Sequence, residues 1–277
     1  MLVLCTVIWG GTFAAVKIAL DDASPWLIVA TRFAATGLLF VIIYFTSLKQ
    51  ISFLLLARGS LLGITFFSGF GLQTLGLQYT TPSRSAFLTE ALVLFTPLLA
   101  FAIYRKLPGW ATVTGALIVI SGLYFLTSPA GFPDWNRGDW MTLGCAAAFS
   151  CYIIGVDRWS SPETRGILSI VQSFTVAVVA GPFVFAENFR LVVNPTLLAA
   201  MLYLVVPGTV VVVMLQMRYQ PQTTPARAGV IFALEPVFAT LYAVLMKLEP
   251  WSLRALVGGA VVTAGVFWSE LGSRKRK

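Results

Sequence analysis

Two glutamates stand inside apolar stretches of the sequence, Glu90 in SAFLTEALVLF and Glu235 in VIFALEPVF. A carboxyl group in such a setting can exchange a proton or meet a cation, because an isolated charge at the centre of a bilayer costs at least ~2.5 kcal/mol. Glu90 lies eight residues past Pro82 and Glu235 ten past Pro225, each behind a copy of nearly the same pentapeptide, TTPSR and TTPAR. Both copies read as helix starts: Thr81 or Thr224 caps free backbone N–H groups, and proline suits the first helical position. At 1.5 Å per residue the glutamates then sit ~12 and ~15 Å from their helix starts. Arg84 and Arg227 fall in the first turn, where a cation opposes the helix dipole. They either snorkel to headgroups or act as gate charges that pair with an acid when a mouth is closed.

The elements that must position these groups follow from composition. The chain has 277 residues, 58% of them hydrophobic and 11% charged, whereas soluble domains carry about a quarter charged residues. Its apolar residues form runs of helical length sufficient for a ~30 Å hydrocarbon layer. Ten such runs are expected: Leu2–Leu20, Trp26–Thr46, Ser60–Tyr79, Pro82–Tyr104, Pro108–Thr127, Asp139–Val156, Gly166–Ala186, Thr196–Met217, Pro225–Met246 and Ser252–Leu271. The stretch ISFLLLAR either lies at the interface or extends the third helix. The first run has no basic leader and no convincing cleavage site, so it reads as a mature helix rather than a signal peptide.

Slid against itself by 143 residues, the chain shows ten identities between 80–122 and 223–265, including Phe95/Phe238, Ala100/Ala243, Gly115/Gly258 and Gly122/Gly265. The expectation is an all-α integral membrane protein of two five-helix repeats: 1–127, a linker at 128–138, and 139–277. Five is odd, so the second repeat must be inverted across the membrane, which gives a pseudo-two-fold axis in the membrane plane and one shared midplane site.

Twelve of the nineteen basic residues fall on one side of this arrangement: Lys49, Arg58, Arg105, Lys106, Arg158, Arg165, Arg218, Arg227 and the tail Arg274, Lys275, Arg276 and Lys277. The positive-inside rule makes that side, and both termini, cytoplasmic. The expected partners are a small-molecule substrate, the lipid bilayer with anionic lipid at the basic tail, and a possible homodimer. No nucleic acid is expected, because the tail has no basic domain behind it. Cys5, Cys145 and Cys151 lack metal-ligand spacing and the chain has no histidine, so neither a metal nor another cofactor is expected.

The stretches IWGGTFAAVKIAL, SPWLIVATRF and LQYTTPSRSAFLTEALVLFTPLLAF, with the G-x6-G helices at Gly115/Gly122 and Gly258/Gly265, resemble the drug/metabolite transporter superfamily, and within it the bacterial ten-helix EamA-like group. The resemblance covers nearly the whole chain. It implies a carrier of small metabolites in the bacterial inner membrane, often of amino acids or related compounds and often by export.

Candidate substrate contacts are Trp9 and Gly10, where the first helix opens locally, with Gln73, Thr89, Glu90, Phe149, Tyr152, Gln172, Phe232 and Glu235 as polar or aromatic lining. Pro97 and Pro236 are candidate hinges that free the carbonyls of Val93 and Phe232. Arg32 meets either a substrate carboxylate or a structural partner, with Asp21 and Asp22 as plausible partners for it and for Lys17. The G-x6-G faces read as a packing seam of the fifth and tenth helices, or a dimer face. No catalytic residue is assigned: an intramembrane enzyme would need a nucleophile and base or an acidic metal site, and neither is visible. Substrates such as sugars, nucleosides and quaternary amines remain alternatives to amino acids.

Overall fold

The computed structural model describes residues 1–127 and 135–274. It is a bundle of helices: α1 (Leu2–Ala19), α2 (Pro25–Ile43), α3 (Phe53–Gly76), α4 (Pro82–Thr89), α5 (Leu92–Tyr104), α6 (Trp110–Thr127), α7 (Arg137–Trp159), α8 (Arg165–Ala186), α9 (Pro195–Val205), α10 (Val212–Tyr219), α11 (Pro225–Phe232), α12 (Glu235–Leu245) and α13 (Leu253–Arg274). Among the described residues nine helical stretches are long and apolar enough to cross a membrane, with Trp110–Phe125 as a shorter apolar helix. The protein is an all-α, multi-pass membrane protein, with no strand element among the described residues. Residues 128–134 of the expected linker, and Lys275 to Lys277 of the basic tail, lie outside the described residues.

Boundaries moved where capping chemistry decides them. ISFLLLAR extends the third span, since Ser52 accepts from Leu55 N at 3.3 Å and starts α3 at Phe53. Asn136 and Asp139 form a reciprocal capping box that starts α7 at Arg137, satisfying two otherwise orphan donors. Thr81 and Thr224 each cap the N–H of the arginine three residues on, at 3.4 and 3.3 Å.

Three spans are interrupted. α4 gives way to α5 at Glu90–Ala91, and α11 to α12 at Ala233–Leu234. Both joints are tightened by i→i+3 bonds: Ala91 N to Leu88 O and Val93 N to Glu90 O, then Leu234 N to Ile231 O and Val237 N to Leu234 O. Pro236 stands at the second position of α12, beside its break. Pro97, an expected hinge, lies inside continuous α5, and the helix break in this span stands at Glu90–Ala91. The third interruption, which sequence reading missed, is a π-helical turn at Val206–Val211 between α9 and α10, built on Pro207-Gly208.

Helices in lipid associate by close packing, which small residues permit. A Cβ on Gly122 would sit 2.6 Å from Val262 N, and one on Gly115 2.7 Å from Ser269 Cβ. The glycine faces of α6 and α13 therefore close on each other within the chain, and a homodimer would need a different surface.

The contacts sort the helix ends into two sets. At one end Lys17 of α1 donates to Leu77 O at 2.7 Å and Thr80 O at 3.1 Å, and Glu249 accepts from Ser83 N at 2.9 Å. Glu187 accepts there from Trp26 N and Leu27 N, both at 3.1 Å. Lys17 thus meets the carbonyls left free where α3 ends, which need donors more than Asp21 or Asp22 need a cation. At the other end Ser160 donates to Met217 O at 2.7 Å, and Tyr104 to Asp157 at 2.8 Å. α4 starts at the first end and α11 at the second.

Candidate functional site

The bundle centre, at the level of the two breaks, encloses a cavity of ≈ 30 Å³, room for about two water molecules. Trp9 and Thr12 come from α1, and Phe66, Phe70 and Gln73 from α3. Thr89 and Leu92 flank the first break, and Phe232 and Glu235 the second; Phe149, Tyr152 and Ile153 of α7 and Gln216 of α10 complete the wall.

Four pairs in this wall are each 143 residues apart: Trp9/Tyr152, Gln73/Gln216, Thr89/Phe232 and Leu92/Glu235. The spacing that relates TTPSR to TTPAR thus also relates the walls of the cavity. The chemistry is not repeated, since Leu92 stands in one half where Glu235 stands in the other. Positions are shared between the halves, while polarity is divided: Thr89 corresponds to Phe232, Leu92 to Glu235, and the glutamine is kept in both.

Aromatic rings fill the centre. Phe66 stacks on Tyr152 with centroids 4.2 Å apart, Phe70 meets Phe149 edge-on at 5.1 Å, and Trp9 meets Phe232 edge-on at 5.5 Å. Such contacts add to the burial of the rings themselves.

The polar groups divide unevenly. Trp9 Nε1 donates to Gly208 O at 3.2 Å, the Thr12 hydroxyl to Trp9 O at 2.7 Å and the Thr89 hydroxyl to Ser85 O at 2.9 Å. Gln73 Nε2 donates to Thr89 Oγ1 at 3.4 Å and Gln216 Nε2 to Gln220 Oε1 at 2.8 Å. Buried without a partner are Gln216 Oε1, both carboxyl oxygens of Glu90, the Tyr152 hydroxyl and the Gln172 amide. Native interiors leave few such atoms, and each calls for a bound water or ligand.

Several expected site residues stand behind the wall rather than on it. Arg32 is 2% exposed; its Nε donates to Thr209 Oγ1 at 2.7 Å and its Nη2 to Gly208 O at 3.2 Å. The guanidinium covers the Phe70 ring, 4.4 Å from the centroid, a favourable cation–π placement. Phe70 faces the cavity in its stead, and neither Asp21 nor Asp22 pairs with it. The π-turn supplies both the Gly208 carbonyl and Thr209; such turns gather at functional sites. Glu90 ends α4 beside Thr89, 1% exposed, and Gln172 of α8 lies beside the Tyr152 hydroxyl. Gly10 is a packing position, since a Cβ there would meet Ala239 N at 2.8 Å.

Arg84 and Arg227 lie at the two ends. Arg84 Nη2 meets Asp139 Oδ2 at 2.5 Å, and Arg227 binds both oxygens of Glu270, at 3.2 and 2.8 Å. A recess of ≈ 1300 Å³ lies beside Arg227, between α5, α6, α7, α11 and α13.

Sequence reasoning missed Thr12, Phe66, Phe70, Leu92, Ile153 and Gln216. The 143-residue offset carries the signal for two of them, taking Gln73 to Gln216 and Glu235 to Leu92. Nothing marks Phe66 or Phe70 among 21 phenylalanines.

A helical membrane bundle with two repeat-related spans broken beside a central cavity has an architecture suited to a membrane transporter. The model of the EamA-like transporter family matches residues 1–128 and again 136–270. The chain belongs to the EamA-like transporter family, within the drug/metabolite transporter superfamily. An uncharacterized transporter of Archaeoglobus fulgidus is 34% identical over 90% of this chain and 77% of its own length. An uncharacterized inner membrane transporter, YicL, of Salmonella typhimurium is 23% identical over 99% and 95%. A WAT1-related chloroplastic protein of Arabidopsis thaliana is 24% identical over 94% of this chain and 66% of its own. One solved crystal structure shares the fold at a TM-score of 0.79 and 17% identity, over 99% of this chain and 96% of its own.

Proposed function

We propose that this protein is a secondary carrier that moves a small metabolite, of the size of an amino acid or a related compound, across the bacterial inner membrane by alternating access. The two family matches, read with the odd number of spans in each half, support two inverted repeats with both termini in the cytoplasm. Export is carried over from the family resemblance.

The observation that carries the reading is the cavity walled by four pairs of repeat-related residues. A site made from equivalent positions of two opposed halves can be exposed to either side by rocking one half against the other, with the α6–α13 seam as the static part. The helix breaks at Glu90–Ala91 and Ala233–Leu234 supply the bending points. In the present state the cavity is shut around its aromatic rings.

Glu90 and Glu235 are the groups that would couple transport to protons. A buried carboxyl without a hydrogen-bond partner carries charge only at a cost of several kcal/mol, about the scale of an unpaired buried ion. A cation or a proton removes that cost, so the two can replace one another at the same group. Other titratable side chains near the pair include the thiols of Cys5 and Cys145 and the Tyr152 hydroxyl on the same wall, and Arg32 stands beyond Phe70.

Counterflow in proteoliposomes, with radiolabelled amino acids, sugars, nucleosides and amines, tests the proposal. Saturable exchange of one class is the expected result. Failure of every class with folded protein, and appearance of a hydrolysed or transferred product instead, would replace the carrier with an enzyme.

A further inference from the structure

Resting on the carrier reading, we infer that the central cavity takes an organic ammonium ion with an apolar body and no carboxylate, held by the acceptors Glu235 and Gln216. An amino acid zwitterion needs two things from a buried site, acceptors for its ammonium and donors for its carboxylate. The wall provides the first and, for the second, neutral donors without a cation.

Most of its donors are already engaged. The N–H of Trp9, the hydroxyls of Thr12 and Thr89, and the amides of Gln73 and Gln216 all give hydrogen bonds within the protein. The nearby cation, Arg32, is held by Thr209, Gly208 and the Phe70 ring. The neutral donors left on the wall are the second N–H of the Gln73 and Gln216 amides and the Tyr152 hydroxyl, which lies beside Gln172. A carboxylate entering this cavity would find neutral donors and no cation, beside an acidic Glu235 that could not ionise without repelling it.

Acceptors, in contrast, stand open. Gln216 Oε1 is buried with no donor, Glu235 faces the cavity, and both oxygens of Glu90 are unpartnered next to Thr89. Around them stand Trp9, Phe66, Phe149, Tyr152 and Phe232, whose ring faces attract a desolvated cation. No lysine or arginine belongs to the wall. A carboxylate among aromatic rings with no cation on the wall beside it is complementary to a positively charged nitrogen on an apolar frame.

The test uses compounds that differ in one group: phenethylammonium, its N,N,N-trimethyl derivative, phenylalanine and 3-phenylpropionate, each radiolabelled, in counterflow with the full-length chain. Saturable exchange of one or both cations, with phenylalanine at least tenfold weaker, is expected. Glu235→Gln should weaken the cation at least tenfold at unchanged thermal stability, while Glu235→Asp keeps the preference for cation over zwitterion. Equal or better exchange of phenylalanine or 3-phenylpropionate overturns the substrate class and leaves the carrier standing. Exchange confined to sugars or nucleosides does the same. Absence of exchange with every compound, from folded protein, removes both readings.

Discussion

Arg84 and Asp139 form an ion pair of 2.5 Å that joins the first turn of α4 to the first turn of α7, with Asp139 fully buried. Asp139 also accepts from Asn136 N at 2.9 Å, so one carboxylate caps a helix and ties two halves of the chain. Its counterpart in the repeat, Arg227, reaches Glu270 of α13, and that pair stays 21% and 28% exposed. The end held by Arg84 also carries the Lys17, Glu187 and Glu249 ties, and is the more firmly closed of the two.

Removing Arg84 leaves Asp139 as an uncompensated buried charge, and Arg84→Ala should cost about 3 kcal/mol. The readout is accessibility: a cysteine at Ser85, buried beside Thr142, should become reactive to an impermeant maleimide in the variant and stay protected in the parent. A reversed pair, Arg84→Asp with Asp139→Arg, should restore part of the protection. In a background with Cys5, Cys145 and Cys151 replaced, cysteines at 84 and 227 should label from opposite sides of the membrane. Labelling from one side would end the inverted-repeat proposal.

Glu90→Gln and Glu235→Gln should each slow transport at least tenfold in proteoliposomes and flatten its response to an imposed pH gradient. Stability should change little, because a neutral amide fits the same buried volume and nothing donates to Glu90 in the native state. Unaltered flux with an unaltered pH profile in both variants would remove the proton-carboxylate proposal.

Arg32→Met should destabilise the protein by about 2 kcal/mol, since Thr209 Oγ1 and Gly208 O lose charged donors in a buried setting. Arg32→Gln keeps an amide donor there and should recover much of that loss. In Arg32→Gln the apparent KM for a transported cation should remain within threefold of the parent. A selective loss of substrate affinity at normal melting temperature would place the guanidinium in direct contact with substrate.

Gly122→Leu should prevent recovery of a monodisperse protein in detergent. Its side chain would enter the backbone of α13, because even a Cβ lies 2.6 Å from Val262 N. Overpacking of this kind typically costs 1–3 kcal/mol where side chains can give way, and backbone cannot. Exposed Leu117, on the same helix, is the control, and Leu117→Ala should purify normally.

The membrane class and the helical spans were legible in the sequence because each is a property of local composition. Runs of apolar residues report bilayer thickness, and TTPSR and TTPAR report helix starts through capping. Trp9, Gln73, Thr89, Phe149, Tyr152, Phe232 and Glu235 could be named as lining because polar or large aromatic side chains at midplane depth must turn inward or find a partner. Depth along a helix is countable from its start.

Direction around a helix is not countable when nearly every residue is apolar, and that part only the tertiary structure decided. It put Arg32 behind Phe70 and brought Phe66 and Phe70 to the wall. It also turned Gly10 to a backbone contact and set the first break at Glu90–Ala91. Each of these depends on which neighbour supplies a partner, as the π-turn at Gly208 does for Arg32. A linear sequence encodes the need for that partner, and the packed bundle determines where it comes from.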